Sequence, residues 1–166
     1  MWGKILIGIV VVTLLIYGLG IFLRGSSSSF VQARVDQAYK EMEEVATALQ
    51  RTFTKFDQGD MGEDPRYEEF EIGRADKLWP ETFSGFINVK DPFDPEGGLY
   101  LMATLDDFFV VISPGPNKYI DIQPVLLEEA MRSETGLEET LGPWTYDPDN
   151  GTTSDGDLFV YQRFGH

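Results

Sequence analysis

The sequence predicts an α+β fold in which a long N-terminal helix packs on a small antiparallel sheet. Three observations predict it: an uncharged apolar stretch at Ile5–Leu23, a helical apolar period over residues 30–56, and short alternating apolar runs further on. The length, 166 residues, suits one domain. We expect a transmembrane anchor at 1–25, an amphipathic stalk helix at 26–57, and a small α+β globular part at 58–166 that completes one domain with the stalk.

The composition excludes several classes of function. The chain has 13 Lys and Arg against 28 Asp and Glu, a formal net charge of −15, and so acidic a protein repels nucleic acid. It has no cysteine and a single histidine, His166, so thiolate or multi-histidine metal sites and histidine-based triads are excluded. Because the sequence offers no nucleophile–base pair and no phosphate-binding glycine loop, we expect a protein that is not an enzyme.

The apolar stretch at Ile5–Leu23 predicts a single membrane span. At 1.5 Å per residue it covers about 28 Å, close to the hydrocarbon core of about 30 Å. The alternative, a cleaved signal peptide, would have a shorter apolar core. Positive charges are nearly balanced on the two sides, but the short N-terminal tail favours export of the body. We therefore expect a single-pass protein of the inner (cytoplasmic) membrane, with its globular domain periplasmic or extracellular.

The stalk is predicted from one apolar stripe. Its members recur at three- to five-residue spacing and are Phe30, Val35, Ala38, Met42, Val45, Leu49 and either Phe53 or Phe56. Charged residues fall mainly on the other faces of the helix. A single stripe indicates packing on the chain's own domain, and a coiled-coil partner is the alternative.

The globular part is predicted to begin with a polar loop at 58–74. The elements after it are, in chain order, a loosely alternating run at 83–89, strands at 98–103 and 107–113, a short helix at 125–135 and strands at 144–146 and 158–163. Little room for more than a turn separates the strands at 98–103 and 107–113, which predicts an antiparallel hairpin.

Three segments rich in turn residues lie between these elements, at 90–98, 113–121 and 146–157. The first predicts a rigid connector in which Phe93 fills an apolar hole. The other two are rich in side-chain oxygens, and calcium takes six to eight oxygen ligands, several of them carboxylates. They predict a calcium site that is not an EF-hand, with the candidate ligands Asn117, Asp121, Asp147, Asp149, Asp155 and Asp157. A solvated acidic loop that uses Asp and Asn for turns is the alternative.

Together these features resemble a known family. The segment VDQAYKEMEEVATALQRTF, entered from an apolar membrane helix, resembles the stalk of pilins and pseudopilins. The motifs KDPFDP at 90–95, SPGPN at 113–117 and YDPDNGT followed by DGD at 146–157 are similar to the soluble domain of the G-type, or major, pseudopilins of type II secretion. The resemblance covers most of residues 30–163.

The resemblance implies a pilin-like structural subunit of a secretion or pilus-type envelope machine. Subunits would self-associate through their apolar helices, and the partners would be other pilin-like subunits and inner-membrane components of the secretion system. Calcium would lie between the final strands, with Asn117, Asp155 and Asp157 implicated by position. The N-terminus departs from the family, because MWGKIL stands where Gly-Phe-Thr-Leu-x-Glu opens the helix and the first acidic residue is Asp36. The alternative is a membrane-anchored extracytoplasmic binding or scaffold module that does not polymerise.

Overall fold

The first helix is the longest element of the fold. The structure, a computed structural model, describes residues 2–60, 64–83, 89–94, 96–133, 136–150 and 155–163, with side chains from Ser29 onward. Helix α1 occupies Trp2–Asp57 and ends at the predicted end of the stalk. The predicted span at 5–23 lies outside the residues whose side chains are described. Among the residues that are, no helix is apolar over a length sufficient to cross a membrane.

Four strands and several short helices follow α1. In chain order they are β1 Tyr67–Arg74, α2 Ala75–Leu78, α3 Pro80–Phe83, β2 Leu101–Asp106, β3 Phe108–Ser113, α4 Pro124–Arg132, α5 Leu137–Leu141, 3-10 turns at Gly142–Trp144 and Pro148–Asn150, and β4 Leu158–Arg163. The strands form one sheet in the spatial order β1-β2-β3-β4, and every adjacent pair is antiparallel. The predicted α+β fold with a long N-terminal helix and an antiparallel sheet is confirmed.

Strands β2 and β3 form the predicted hairpin. Their register runs from Leu101 opposite Ile112 to Leu105 opposite Phe108. Asp106 closes the turn at φ 52°, a conformation that Asp tolerates better than most residues. Strand β3 is buried along its whole length, which explains why its sequence, FFVVIS, is an apolar run and not an alternation.

The apolar stripe of α1 packs on one face of the sheet. Six of its residues are at most 2% exposed: Val35, Ala38, Met42, Val45, Leu49 and Phe53. They share a core with Met102, Phe109, Val111 and Leu158 of the sheet. Phe30, the first predicted member, is instead 65% exposed, so the packed stripe begins after it. The prediction that the stripe packs on the chain's own domain is therefore confirmed, and the stripe is not free for a coiled-coil partner.

Helices α4 and α5 cover the opposite face of the sheet. There Ala103, Val110 and Ile112 form a second core with Leu127 and Leu137. The described domain thus has three layers, with α1 on one face of the sheet and the short helices on the other. The predicted helix at 125–135 is confirmed with slightly different bounds, since Pro124 stands at its first turn and Arg132 ends it.

Two predicted elements were wrong. Strand β1 lies inside the predicted loop at 58–74, because its polar residues are those of an exposed edge strand that pairs with β2. The predicted strand at 144–146 is instead the end of a 3-10 turn and one isolated parallel bridge, Thr145 to Asp157. Of the loosely alternating run at 83–89, Phe83 ends α3, and residues 84–88 lie outside the described part of the chain.

Candidate functional site

The three turn-rich segments meet at one end of the sheet. Strand β3 ends there at Ser113, which is paired with Leu158, the first residue of β4. The segments before β2, after β3 and before β4 are therefore neighbours in space although they are far apart in the chain. We call the described residues 90–94, 113–122 and 155–157 the loop junction.

Asp91 ties the first segment to the end of β3. It is 4% exposed, and its Oδ1 accepts hydrogen bonds from Ser113 Oγ and from the Phe93 backbone N–H, both at 2.8 Å. Burial raises the pKa of Asp91 to about 6, against these two hydrogen bonds, which lower it. Phe93 is buried in the core of α1, and the Arg34 guanidinium lies 4.8 Å from its ring centre. The prediction that Phe93 fills an apolar hole is confirmed.

Asp157 joins the other two segments. Its side chain is fully buried, and its carboxylate accepts hydrogen bonds from the backbone N–H groups of Asp121, at 3.2 and 3.1 Å, and Ile122, at 2.9 Å. Burial raises the pKa of Asp157 to about 6, while these N–H groups lower it and the nearby carboxylates of Asp121 and Asp91 raise it further. The Asp157 backbone is held in turn by bonds to Trp144 and Tyr146.

Asp121 and Asn117 complete the contact between the second and third segments. Asp121 Oδ2 accepts from the Gly156 N–H at 2.7 Å and from Asn117 Nδ2 at 2.8 Å. Asn117 Nδ2 also lies 3.4 Å from Asp155 Oδ1, and Asn117 Oδ1 accepts from the Tyr119 N–H at 2.9 Å. The structure therefore brings together four of the six candidate ligands: Asn117, Asp121, Asp155 and Asp157.

The other two candidates, Asp147 and Asp149, lie in a local turn of the chain. There Asp147 accepts from the Asp149 N–H at 2.9 Å and from Asn150 Nδ2 at 3.2 Å, around the 3-10 turn at Pro148–Asn150. The remainder of that loop, residues 151–154, lies outside the described residues. Asp91 is the junction residue that the sequence reasoning missed. An Asp-Pro pair ahead of a buried aromatic residue was its only signal in the sequence.

The loop junction contains the types of oxygen donor that calcium prefers, but these donors are not arranged to hold an ion. Carboxylate and amide oxygens are the ligands that calcium prefers. Within the residues that the structure describes, however, no three acidic or histidine side chains are grouped closely enough to hold a metal ion. Asn117 turns its NH₂ group, and not its oxygen, toward Asp121 and Asp155. The arrangement as it stands holds two loops together, and the calcium site stays a prediction.

The functional interpretation of this chain therefore rests on its fold and on the loop junction, because comparisons with known proteins add nothing to them. The chain matches no protein-family model, no curated protein and no solved structure.

Proposed function

We propose that this chain is a pseudopilin-like structural subunit of a secretion or pilus-type envelope machine. The predicted span at 5–23 would hold it in the inner membrane, and the acidic domain would stand on the periplasmic or extracellular side. One observation carries the proposal: from Ser29 onward, a single stripe of α1 packs on an antiparallel sheet. That division of one helix into a packed half and a preceding apolar half is the arrangement that the pilin resemblance implies.

The length of α1 fits this role. The helix begins at Trp2, so 27 residues precede Ser29 and add about 40 Å of helix at 1.5 Å per residue. The hydrocarbon core of a bilayer is about 30 Å thick. A helix of this length can cross the membrane and still connect directly to the packed half without a separate linker. Neighbouring subunits would then contact one another through the apolar half.

A membrane-anchored binding or scaffold module that does not polymerise is the second candidate. The outward face of the stalk favours it, because the exposed side chains there are mostly polar or charged: Gln32, Asp36, Gln37, Lys40, Glu43, Glu44, Thr47, Gln50 and Arg51. Between Ser29 and Asp57 no apolar seam is left for a second stalk. Lateral assembly would therefore depend on the helix before Ser29.

Cysteine crosslinking in membranes separates the two candidates, since the chain has no cysteine of its own. Ala33→Cys places one thiol on the exposed face near the start of the packed half, and Glu139→Cys places a control thiol on exposed α5, in the opposite layer. Assembly through the helices predicts a crosslinked dimer from Ala33→Cys, because one thiol per chain can join only two chains, and far less dimer from Glu139→Cys. Monomer alone from Ala33→Cys would refute assembly and favour the anchored module.

A further inference from the structure

The hydrogen bonds between residues 117–122 and 155–157 are reciprocal. Asp157 accepts from the backbone N–H groups of Asp121 and Ile122, and Asp121 accepts from the N–H of Gly156 on the other loop. We call these contacts the Asp121–Asp157 clasp. From them we infer that direct hydrogen bonds close the two loops and that the closure needs no metal ion, whether or not the chain assembles.

The Asp121 N–H occupies the position that a cation bound by both oxygens of Asp157 would take. It lies at 3.2 Å from Oδ1 and 3.1 Å from Oδ2, so it is almost equidistant from the two oxygens. A calcium ion bound by both oxygens of one carboxylate takes the same bisecting position. The Ile122 N–H, at 2.9 Å, adds a second donor to Oδ2. Backbone amides thus supply the hydrogen-bond partners of both carboxylate oxygens of Asp157.

Donor groups also face the second carboxylate of the clasp. Asp121 Oδ2 receives the Gly156 N–H at 2.7 Å and the Asn117 amide N–H at 2.8 Å. The orientation of the Asn117 amide is fixed by the Tyr119 N–H, which needs its oxygen as acceptor. Hydrogen bonds to an ionised carboxylate are stronger than those between neutral groups, which suits a contact between two loops.

Two glycines allow the loops to approach this closely. Gly156 has φ 114°, and a Cβ there would lie 2.5 Å from the carbonyl carbon of Thr145. Gly115 has φ 65°, and a Cβ there would lie 2.8 Å from the Gly156 oxygen. Real Cβ atoms are not found at such distances, so a larger residue at 115 would separate the loops and one at 156 would displace Thr145. The backbone of each loop therefore lies within hydrogen-bonding distance of the carboxylate of the other loop.

Thermal unfolding of the full chain in detergent tests the inference. We expect midpoints within about 1 °C of one another in calcium, in magnesium and in chelator, because nothing in the clasp depends on an ion. Asp157→Ala and Asp121→Ala should each lower the midpoint by about 5–10 °C in all three conditions, since their N–H donors lose an acceptor. Asp149→Ala is the control, because it removes the same charge from the local turn at 148–150, and it should change nothing.

A rise of the wild-type midpoint with calcium and not with magnesium, lost in Asp157→Ala, would overturn the inference and establish a calcium site. Hydrogen exchange provides a second measurement that needs no folded variant. The clasp predicts slow exchange of the amides at 121, 122 and 156 of the wild-type chain in chelator, whereas fast exchange there that slows with calcium would overturn it. Neither thermal unfolding nor hydrogen exchange depends on whether the chain assembles. A failure of this inference can therefore be distinguished from a failure of the proposed function, which the crosslinking tests.

Discussion

Replacing Asp91 by Asn should stabilise the domain near neutral pH and leave it unchanged in acid. Asp91 is 4% exposed, and a single oxygen, Oδ1, accepts both the Ser113 hydroxyl and the Phe93 N–H. An Asn side chain presents an amide oxygen at the same place and keeps both hydrogen bonds. The substitution therefore removes only the buried charge, whose desolvation is the main reason that the pKa of Asp91 is raised.

The sign and the size of the effect follow from linkage. The pKa of Asp91 is about 6 in the folded protein against 3.8 for the free side chain. Between these values the folded chain keeps a proton that the unfolded chain has released, so stability falls as the pH rises from about 4 to about 6. The two-unit difference corresponds to a loss of about 3 kcal/mol above that window. Asp91→Asn, which is neutral throughout, should escape this loss and unfold about 6–12 °C higher at neutral pH.

The assay is thermal unfolding of the full chain and of Asp91→Asn in detergent at a series of pH values. The Asp91 carboxylate also raises the pKa of Asp157, so the difference between the two curves reports on Asp91 together with its effect on Asp157, which has the same sign. Asp60→Asn makes the same change of charge at an exposed position and should follow the wild type. If Asp91→Asn lowers the midpoint more at neutral pH than in acid, the reasoning is refuted, because hydrogen bonding to the charge would then outweigh its desolvation.

Two further substitutions test the packing of the core by urea unfolding. Phe53→Ala should lower the free energy of unfolding by about 3–5 kcal/mol, because this buried ring lies edge-on to Trp79 and Phe109, with ring centres 6.5 and 6.3 Å away. The control Phe30→Ala, at a 65% exposed position, should change the free energy of unfolding by less than about 0.5 kcal/mol. Equal losses in the two variants would contradict the packing of α1. Thr104→Val should raise the free energy of unfolding by about 1 kcal/mol, because Thr104 Oγ1 is the one buried side-chain polar atom without a hydrogen-bond partner among the described residues. A loss of stability in this variant would mean that the hydroxyl has a partner.

The elements that the sequence predicted well are those whose pattern depends on one buried face. The stripe of α1 repeats with the helical period because a single side of the helix meets the sheet. Strand β4, Leu158–Arg163, has the predicted bounds, since Leu158 and Val160 pack on the core of α1 while Phe159 packs against the second core on the other face. The hairpin of β2 and β3 follows from two apolar runs with no room between them for anything but a turn.

The sequence did not predict strand β1, because its residues are those of an edge strand with charged side chains on its exposed face. In YEEFEIGR, the residues Glu68, Glu69 and Glu71 are exposed, while Phe70 and Ile72 pack against the second core. Charged residues on an edge strand prevent pairing with other chains, and they also hide the alternation that marks a strand. Only the pairing with β2, a contact between distant parts of the chain, identifies this segment as a strand.

The candidate site was predictable in its residue types and not in its pairings. Turn residues and carboxylates mark the segments of the loop junction in the sequence. That Asp121 faces the amide of Gly156, and Asp157 the amides of Asp121 and Ile122, depends on the register of β3 and β4 and on the bridge at Thr145. A carboxylate that binds a metal and one that accepts backbone amides have the same sequence signature, so the sequence left calcium and a loop without metal both open, whereas the geometry favours hydrogen bonds.

The position of the loop junction along α1 bears on the proposed function. Phe93, in the junction, contacts Arg34 near the start of the packed half, whereas Phe109 at the other end of β3 contacts Phe53 near the end of α1. The junction therefore lies at the end of the domain from which the helix continues toward the predicted span. Anionic lipid headgroups repel a carboxylate-rich surface. Because Asp91 and Asp157 are buried against hydrogen-bond donors, this end exposes less negative charge than its sequence carries, which suits a domain held close to a membrane.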